Sequence, residues 1–162
     1  MQRLNASYIV AAIAAVNFLG SKKVRDILLV AVGGSAGALA RYGIGVVAAR
    51  LLGKGFPWGT LLVNVAGCFV MGIVMKILLD MESHTPEAIT PAIKLQMALW
   101  RQGVAIGFLG ALTTFSTFGA DTIRELDLKG GQPSVALANI AANVLLSLAA
   151  VWLGMALMRA VD

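Results

Sequence analysis

Residues Thr113-Thr-Phe-Ser-Thr-Phe118 put four hydroxyls and two phenyl rings within six positions. Hydroxyls donate hydrogen bonds, and the edge of a phenyl ring carries the positive part of its quadrupole. Phe115 and Phe118 can therefore face a small anion edge-on, with Ser116 and Thr117 beside them. Two further polar stripes repeat every four residues: Thr60, Asn64 and Cys68, then Asn139, Asn143 and Ser147. Residues at that spacing stack on one face of a helix. Each stripe alone reads equally well as glue between membrane helices, worth about 0.6–2 kcal/mol per hydrogen bond. Taken with the hydroxyl cluster, the stripes read as a polar track. No Asp or Glu falls in mid-span, which speaks against a carboxylate proton relay. Hydroxyls, amides, an arginine and ring edges suit an anion that accepts hydrogen bonds strongly, and the residues alone do not name it.

The elements that carry these groups are apolar. The 162-residue chain is 59% hydrophobic and only 13% charged, against roughly 25% charged in a soluble domain, and its mean hydropathy is +0.84. Gln102 to Ala120, Gly55 to Met75 and Ser134 to Met158 carry no charge, and Ile27 to Ala49 carries only Arg41. A bilayer needs ~20 apolar residues of helix. The chain therefore reads as an all-α membrane protein with four spans, at about 27–49, 56–79, 101–123 and 134–158. Continuous apolarity, in place of ten-residue alternation, disfavours a β-barrel. Glycines before a run of β-branched hydroxyl residues are poor material for an unbroken helix. A break at membrane depth survives only when buried in protein or lining a polar cavity, so the third span is expected to break near the cluster.

Arg41 lies about eight residues from the end of its span, ~12 Å of helix from that interface. Two readings stand: it snorkels past Gly45 to water, or it lends positive potential to something anionic. Gly33 with Gly37, and Gly103 with Gly107, match the small-residue spacing of closely packed membrane helices. Gly43-Ile-Gly45-Val-Val-Ala48 resembles a dinucleotide fingerprint only superficially, with no strand before it and no acid after. His84 sits in a polar loop without ligand partners and reads as exposed.

Residues 1–26 read as an extension to a four-helix transmembrane unit at 27–162. The extension is either an interfacial helix, since Ile9, Ile13 and Val16 share a face, or a signal-like segment behind Arg3. Thr85-Pro86-Glu87 looks like a capped helix start and Thr90-Pro91 like a restart, while Gly130-Gly131 marks a turn. With four spans, eight basic residues fall on the side of the termini and four on the other, which favours cytoplasmic termini. Without the extension and its basic flank the count is four against four, a balance that lets a chain insert both ways. The net charge of +5 reads as loop lysines and arginines that anchor helices, with no nucleic acid implied. The single Cys68 excludes an intrachain disulfide.

Three motifs in order, Gly33-Gly-Ser-Ala-Gly-Ala-Leu-Ala-Arg41-Tyr42, Pro57-Trp-Gly-Thr-Leu-Leu-Val-Asn64-Val-Ala-Gly67 and Gly107-Phe-Leu-Gly-Ala-Leu-Thr-Thr-Phe-Ser-Thr-Phe118, resemble the Fluc/CrcB fluoride channels. The likeness runs from about Ile27 to Met158. It implies an antiparallel homodimer with two narrow fluoride pores in the cell inner membrane. By motif, Asn64 contacts the ion, Phe115 and Phe118 make aromatic contacts, and Ser116 and Thr117 supply a hydroxyl track. Asn143 and Asn139 extend the pore, Asn139 at the place of the family's usual tyrosine. The carbonyls of Gly110 and Thr113 bind a structural sodium ion at the dimer centre, and Arg41 stands at a vestibule. Asp121 takes the place of an acidic residue that commonly follows the aromatic run.

Two other classes compete. A small multidrug exporter is also a short four-helix dimer, but it needs a glutamate embedded in its first helix, and Asp26 lies only at the edge. A non-transporting assembly subunit would use the glycines and asparagines as glue alone. An enzyme is disfavoured, since neither a nucleophile–base pair nor a metal cluster is visible.

Overall fold

The computed structural model describes residues 21–83, 90–127 and 130–161, and all its regular elements there are helical. Four of its elements are long and apolar enough to cross a membrane: Lys22–Leu51, Trp58–Ser83, Pro91–Leu126 and Pro133–Val161. In chain order these are α1 (Lys22–Leu51), α2 (Trp58–Ser83), a composite third element, and α6 (Pro133–Val161). The third consists of α3 (Pro91–Ala98), a π-helix π1 (Leu99–Leu109), α4 (Gly110–Leu112) and α5 (Phe115–Leu126).

α1, the third element and α6 outrun their expected spans at both ends, while α2 starts two residues late and runs four past its expected end. α1 begins five residues early because the Ser21 hydroxyl caps it, accepting from Val24 N at 3.3 Å. Lys22, Lys23 and Arg25 are thus part of the first helix, where the sequence suggested a separating flank. The third element begins ten residues early, at the Thr90 cap and Pro91, as that dipeptide predicts. Charged ends carry the helices past their apolar centres, so hydropathy alone underestimates their length. His84 and Thr85-Pro86-Glu87 lie outside the described residues, as do residues 1–20. The turn expected at Gly130-Gly131 forms with Gly130 at φ +123°, a region where glycine is at home.

The helices pack in two main pairs, α1 on π1 and α2 on α6. Glycines set both approaches. A Cβ added at Gly33 would stand 2.2 Å from the Gly103 carbonyl oxygen, and one at Gly37 would stand 2.1 Å from that of Phe108. Two glycines four residues apart on α1 thus meet carbonyls five apart on π1. A π-helix, whose turns hold more residues than α-turns, matches that longer step. Between α2 and α6 the fit is reciprocal: Gly72 abuts the Val151 carbonyl and Gly154 abuts that of Phe69, at 2.2 and 2.1 Å from an added Cβ. A small core of Val63, Val74, Leu109 and Leu112 lies between the pairs.

Backbone atoms give way far less easily than side chains, so even a methyl group forces these helices apart. Gly154→Ala is expected to destabilise the protein by about 1–3 kcal/mol. A lowered midpoint in detergent-solubilised thermal unfolding would register it, and an unchanged midpoint would contradict the close approach.

Candidate functional site

Regular helix stops at Leu112 and restarts at Phe115. The two residues between are extended, Thr113 at φ −77°, ψ 157° and Thr114 at φ −153°, ψ 121°. Their side chains favour this locally. The Thr113 hydroxyl donates back to the Leu109 carbonyl at 2.9 Å, and the Thr114 hydroxyl accepts from Thr117 N at 3.1 Å, capping α5. Hydroxyl residues offer the backbone such alternatives to a continuous ladder.

The break is held from α2. Asn64 Oδ1 accepts from Thr114 N–H at 2.8 Å, while Asn64 Nδ2 donates to the Thr114 carbonyl at 3.1 Å. One amide side chain thereby satisfies both backbone groups of one extended residue. Asn64 Nδ2 also donates to Asn143 Oδ1 at 2.9 Å, and Asn143 Nδ2 donates to Asn139 Oδ1 at 2.8 Å and to the Asn139 carbonyl at 3.1 Å. Asn139 Nδ2 donates to the Thr122 hydroxyl at 2.9 Å, which donates to the Phe118 carbonyl at 2.8 Å. Asn139 and Asn143 are buried. Both amide hydrogens of Asn64 and of Asn143 are engaged within the subunit, so either reaches an ion only by giving up one of these bonds.

The other side of α5 is open. Phe115 is 82% exposed, and Ser116 and Thr117 are exposed with it, whereas Phe118 is buried. The two rings meet edge-on, with centroids 5.4 Å apart and planes at 61°. The Thr114 hydroxyl lies 3.1 Å from those of Ser116 and Thr117, which makes a continuous hydroxyl patch beside Phe115. An open groove of ≈ 950 Å³ runs to Thr114 and Thr117 past Arg41, Lys54, Thr60 and Arg124. On its wall the buried Asp121 accepts from the Thr60 hydroxyl at 2.7 Å and pairs with Arg124.

Arg41 points at the break: its Nη1 stands 3.4 Å from the Thr113 carbonyl oxygen. The break also frees carbonyls. In an unbroken α-helix the Gly110 carbonyl would accept from Thr114 N–H and that of Thr113 from Thr117 N–H, but both donors turn to side chains instead. Carbonyl oxygens without their helical donors are the ligand type that hard cations take. Among the described residues no group of three or more His, Cys, Asp or Glu could hold a metal ion.

Asn64, Asn143 and Asn139 therefore lie behind the cluster, Phe115, Ser116 and Thr117 in front of it, and Arg41 over the break. Sequence reasoning passed over Thr114 as a clamp point and Thr122 as the end of the amide chain. Thr122 stands one turn after Phe118 and could have been found from that spacing. Asp121 stands where the family resemblance expects an acidic residue, and its partner is Thr60.

A model of the family described as CrcB-like protein, Camphor Resistance (CrcB), matches residues 28–155. The chain belongs to the CrcB family. Within it, the chain is 44% identical over 129 residues to a protein of Dehalococcoides mccartyi named fluoride-specific ion channel FluC, covering 80% of this chain and 88% of that one. Relatives of the same name from Rhizobium etli and Shewanella amazonensis are 43% and 41% identical, covering 82% and 80% of this chain and 95% and 92% of theirs. The CrcB match starts at residue 28, inside α1.

Removing the clamp should leave the backbone groups of Thr114 unpaired, at a cost of about 1–3 kcal/mol each. Asn64→Leu is therefore expected to lower the unfolding midpoint far more than Ser35→Ala, whose exposed hydroxyl bonds only within α1. Equal midpoints for the two variants would contradict the clamp.

Proposed function

We propose that this CrcB-family protein is a fluoride-selective channel of the cell inner membrane, through which fluoride leaves the cytoplasm passively. The observation that carries the reading is the two-residue break at Thr113–Thr114, backed by amides and fronted by open hydroxyls and a phenyl ring. The relatives named fluoride-specific ion channels supply the ion.

In this reading the third helix is broken at membrane depth. Ser116, Thr117 and the uncovered Phe115 then need a polar partner that lipid does not offer. A second copy in the opposite orientation provides it, giving an antiparallel homodimer. The anion enters by the groove, where Arg41, Lys54 and Arg124 outnumber Asp121 and Glu125. It then passes the hydroxyls of Thr117 and Ser116 and the edges of Phe115 and Phe118. Fixed donors and ring edges replace the water it sheds, and a narrow dehydrated path favours the small ion over chloride. Asn64, Asn143 and Asn139 hold the path and offer an N–H only where an ion displaces a bond. The carbonyls of Gly110 and Thr113, both without their helical donors, would hold a structural sodium ion between the two copies, that of Thr113 giving up its contact with Arg41, and would fix the break without taking part in permeation.

Energetics need no pump. Hydrogen fluoride crosses membranes, dissociates in a less acidic cytoplasm and accumulates as the anion. An interior-negative potential drives an anion outward by ~2.3 kcal/mol per 100 mV. Phe115→Ile and Phe118→Ile remove the ring edges while keeping apolar bulk. Both are expected to abolish fluoride efflux from vesicles, read with a fluoride electrode, while the dimer still elutes intact. Undiminished efflux in both would refute the aromatic role.

A further inference from the structure

The amide chain behind the aromatic segment has a fixed polarity, set by backbone groups. Thr114 N–H can only donate, which turns Asn64 Oδ1 toward it and Asn64 Nδ2 toward Asn143. The Asn139 carbonyl can only accept, which turns Asn143 Nδ2 toward Asn139. Asn139 is thereby left with Nδ2 facing Thr122, whose own proton goes to the Phe118 carbonyl. Amide orientation, usually ambiguous, has one solution here. The chain begins at Thr114 and ends at Phe118, the two limits of the segment that carries Phe115, Ser116 and Thr117.

We infer that Thr122 and Asn139 are positioning residues that set where the Phe118 ring stands against Phe115. Among the described residues, the run of amide hydrogen bonds passes from α6 to α5 at Thr122, which donates to the backbone carbonyl of the residue that bears the ring. Asn139 is buried completely, and its contact with Thr122 is 2.9 Å, so the joint has little slack. Packing at this depth leaves little room for adjustment, and with the bond lost α5 can relax only by a small rotation about its own axis, within what the Thr60–Asp121 bond allows. Such a rotation shifts the Phe118 ring in its edge-on contact while leaving the Thr114 clamp in place. The consequence for fluoride rests on the channel reading above; the consequence for the ring does not.

The test uses the full-length protein with 4-fluorophenylalanine at position 118, studied by ¹⁹F NMR in detergent, and the unlabelled protein in vesicles. Thr122→Val removes donor and acceptor at nearly constant volume, and Thr122→Ser restores both. The wild type should give one narrow resonance, Thr122→Val a shifted or split one, and Thr122→Ser the wild-type signal again. In vesicles, Thr122→Val should lose at least about tenfold in fluoride efflux or in its preference over chloride, and Thr122→Ser should recover it. A single unshifted resonance in Thr122→Val would overturn the inference. Should Thr122→Val fail to fold, Thr122→Cys, with a weaker donor and acceptor, decides by the same resonance. A wild type without fluoride efflux would sink the channel reading alone, because the resonance still reports on the ring.

Discussion

An extended residue between two helical segments leaves backbone groups that apolar surroundings cannot satisfy, and here one asparagine satisfies them. Asn64 meets the N–H and the carbonyl of Thr114 at 2.8 and 3.1 Å. An apolar environment charges several kcal/mol for each such group left unpaired. The two-point contact is what lets α4 end and α5 begin without a continuous ladder. Everything distinctive about the site follows from that. The break turns the hydroxyls of Ser116 and Thr117 outward with Phe115, takes the helical donors away from the carbonyls of Gly110 and Thr113, and leaves the latter to Arg41 at 3.4 Å.

Close backbone packing makes the clamp possible. Gly72 and Gly154 bring α2 and α6 near enough for Asn64 to reach Asn143, and Gly33 and Gly37 seat π1 against α1. Small residues in membrane helices allow this approach where apolar burial gives no drive. The asparagines consequently work as a framework. A polar stripe that reads as a track along one helix is, once its partners are known, a set of hydrogen bonds tying α2, α5 and α6 together.

Much of the fold was legible because hydropathy follows the bilayer directly. Three charge-free runs and a fourth interrupted only by Arg41 located the four spans, and the Thr90-Pro91 cap and the glycine pair at 33 and 37 behaved as their chemistry suggests. Helix ends were less legible, since Lys22 to Asp26 and Pro91 to Ala98 are helical without being uniformly apolar. The π-helix left no local trace: its wider turn answers the spacing of glycines on another helix. The hydroxyl cluster, Asn64 and Arg41 stood out by residue type alone. The links from Asn139 to Thr122 and from Asp121 to Thr60 did not, because which polar groups pair is decided between helices.

If the broken helix serves a fluoride-selective path, vesicles holding the purified wild-type protein should lose fluoride rapidly down its gradient and retain chloride. Equal release of both anions, or release of neither, would contradict it.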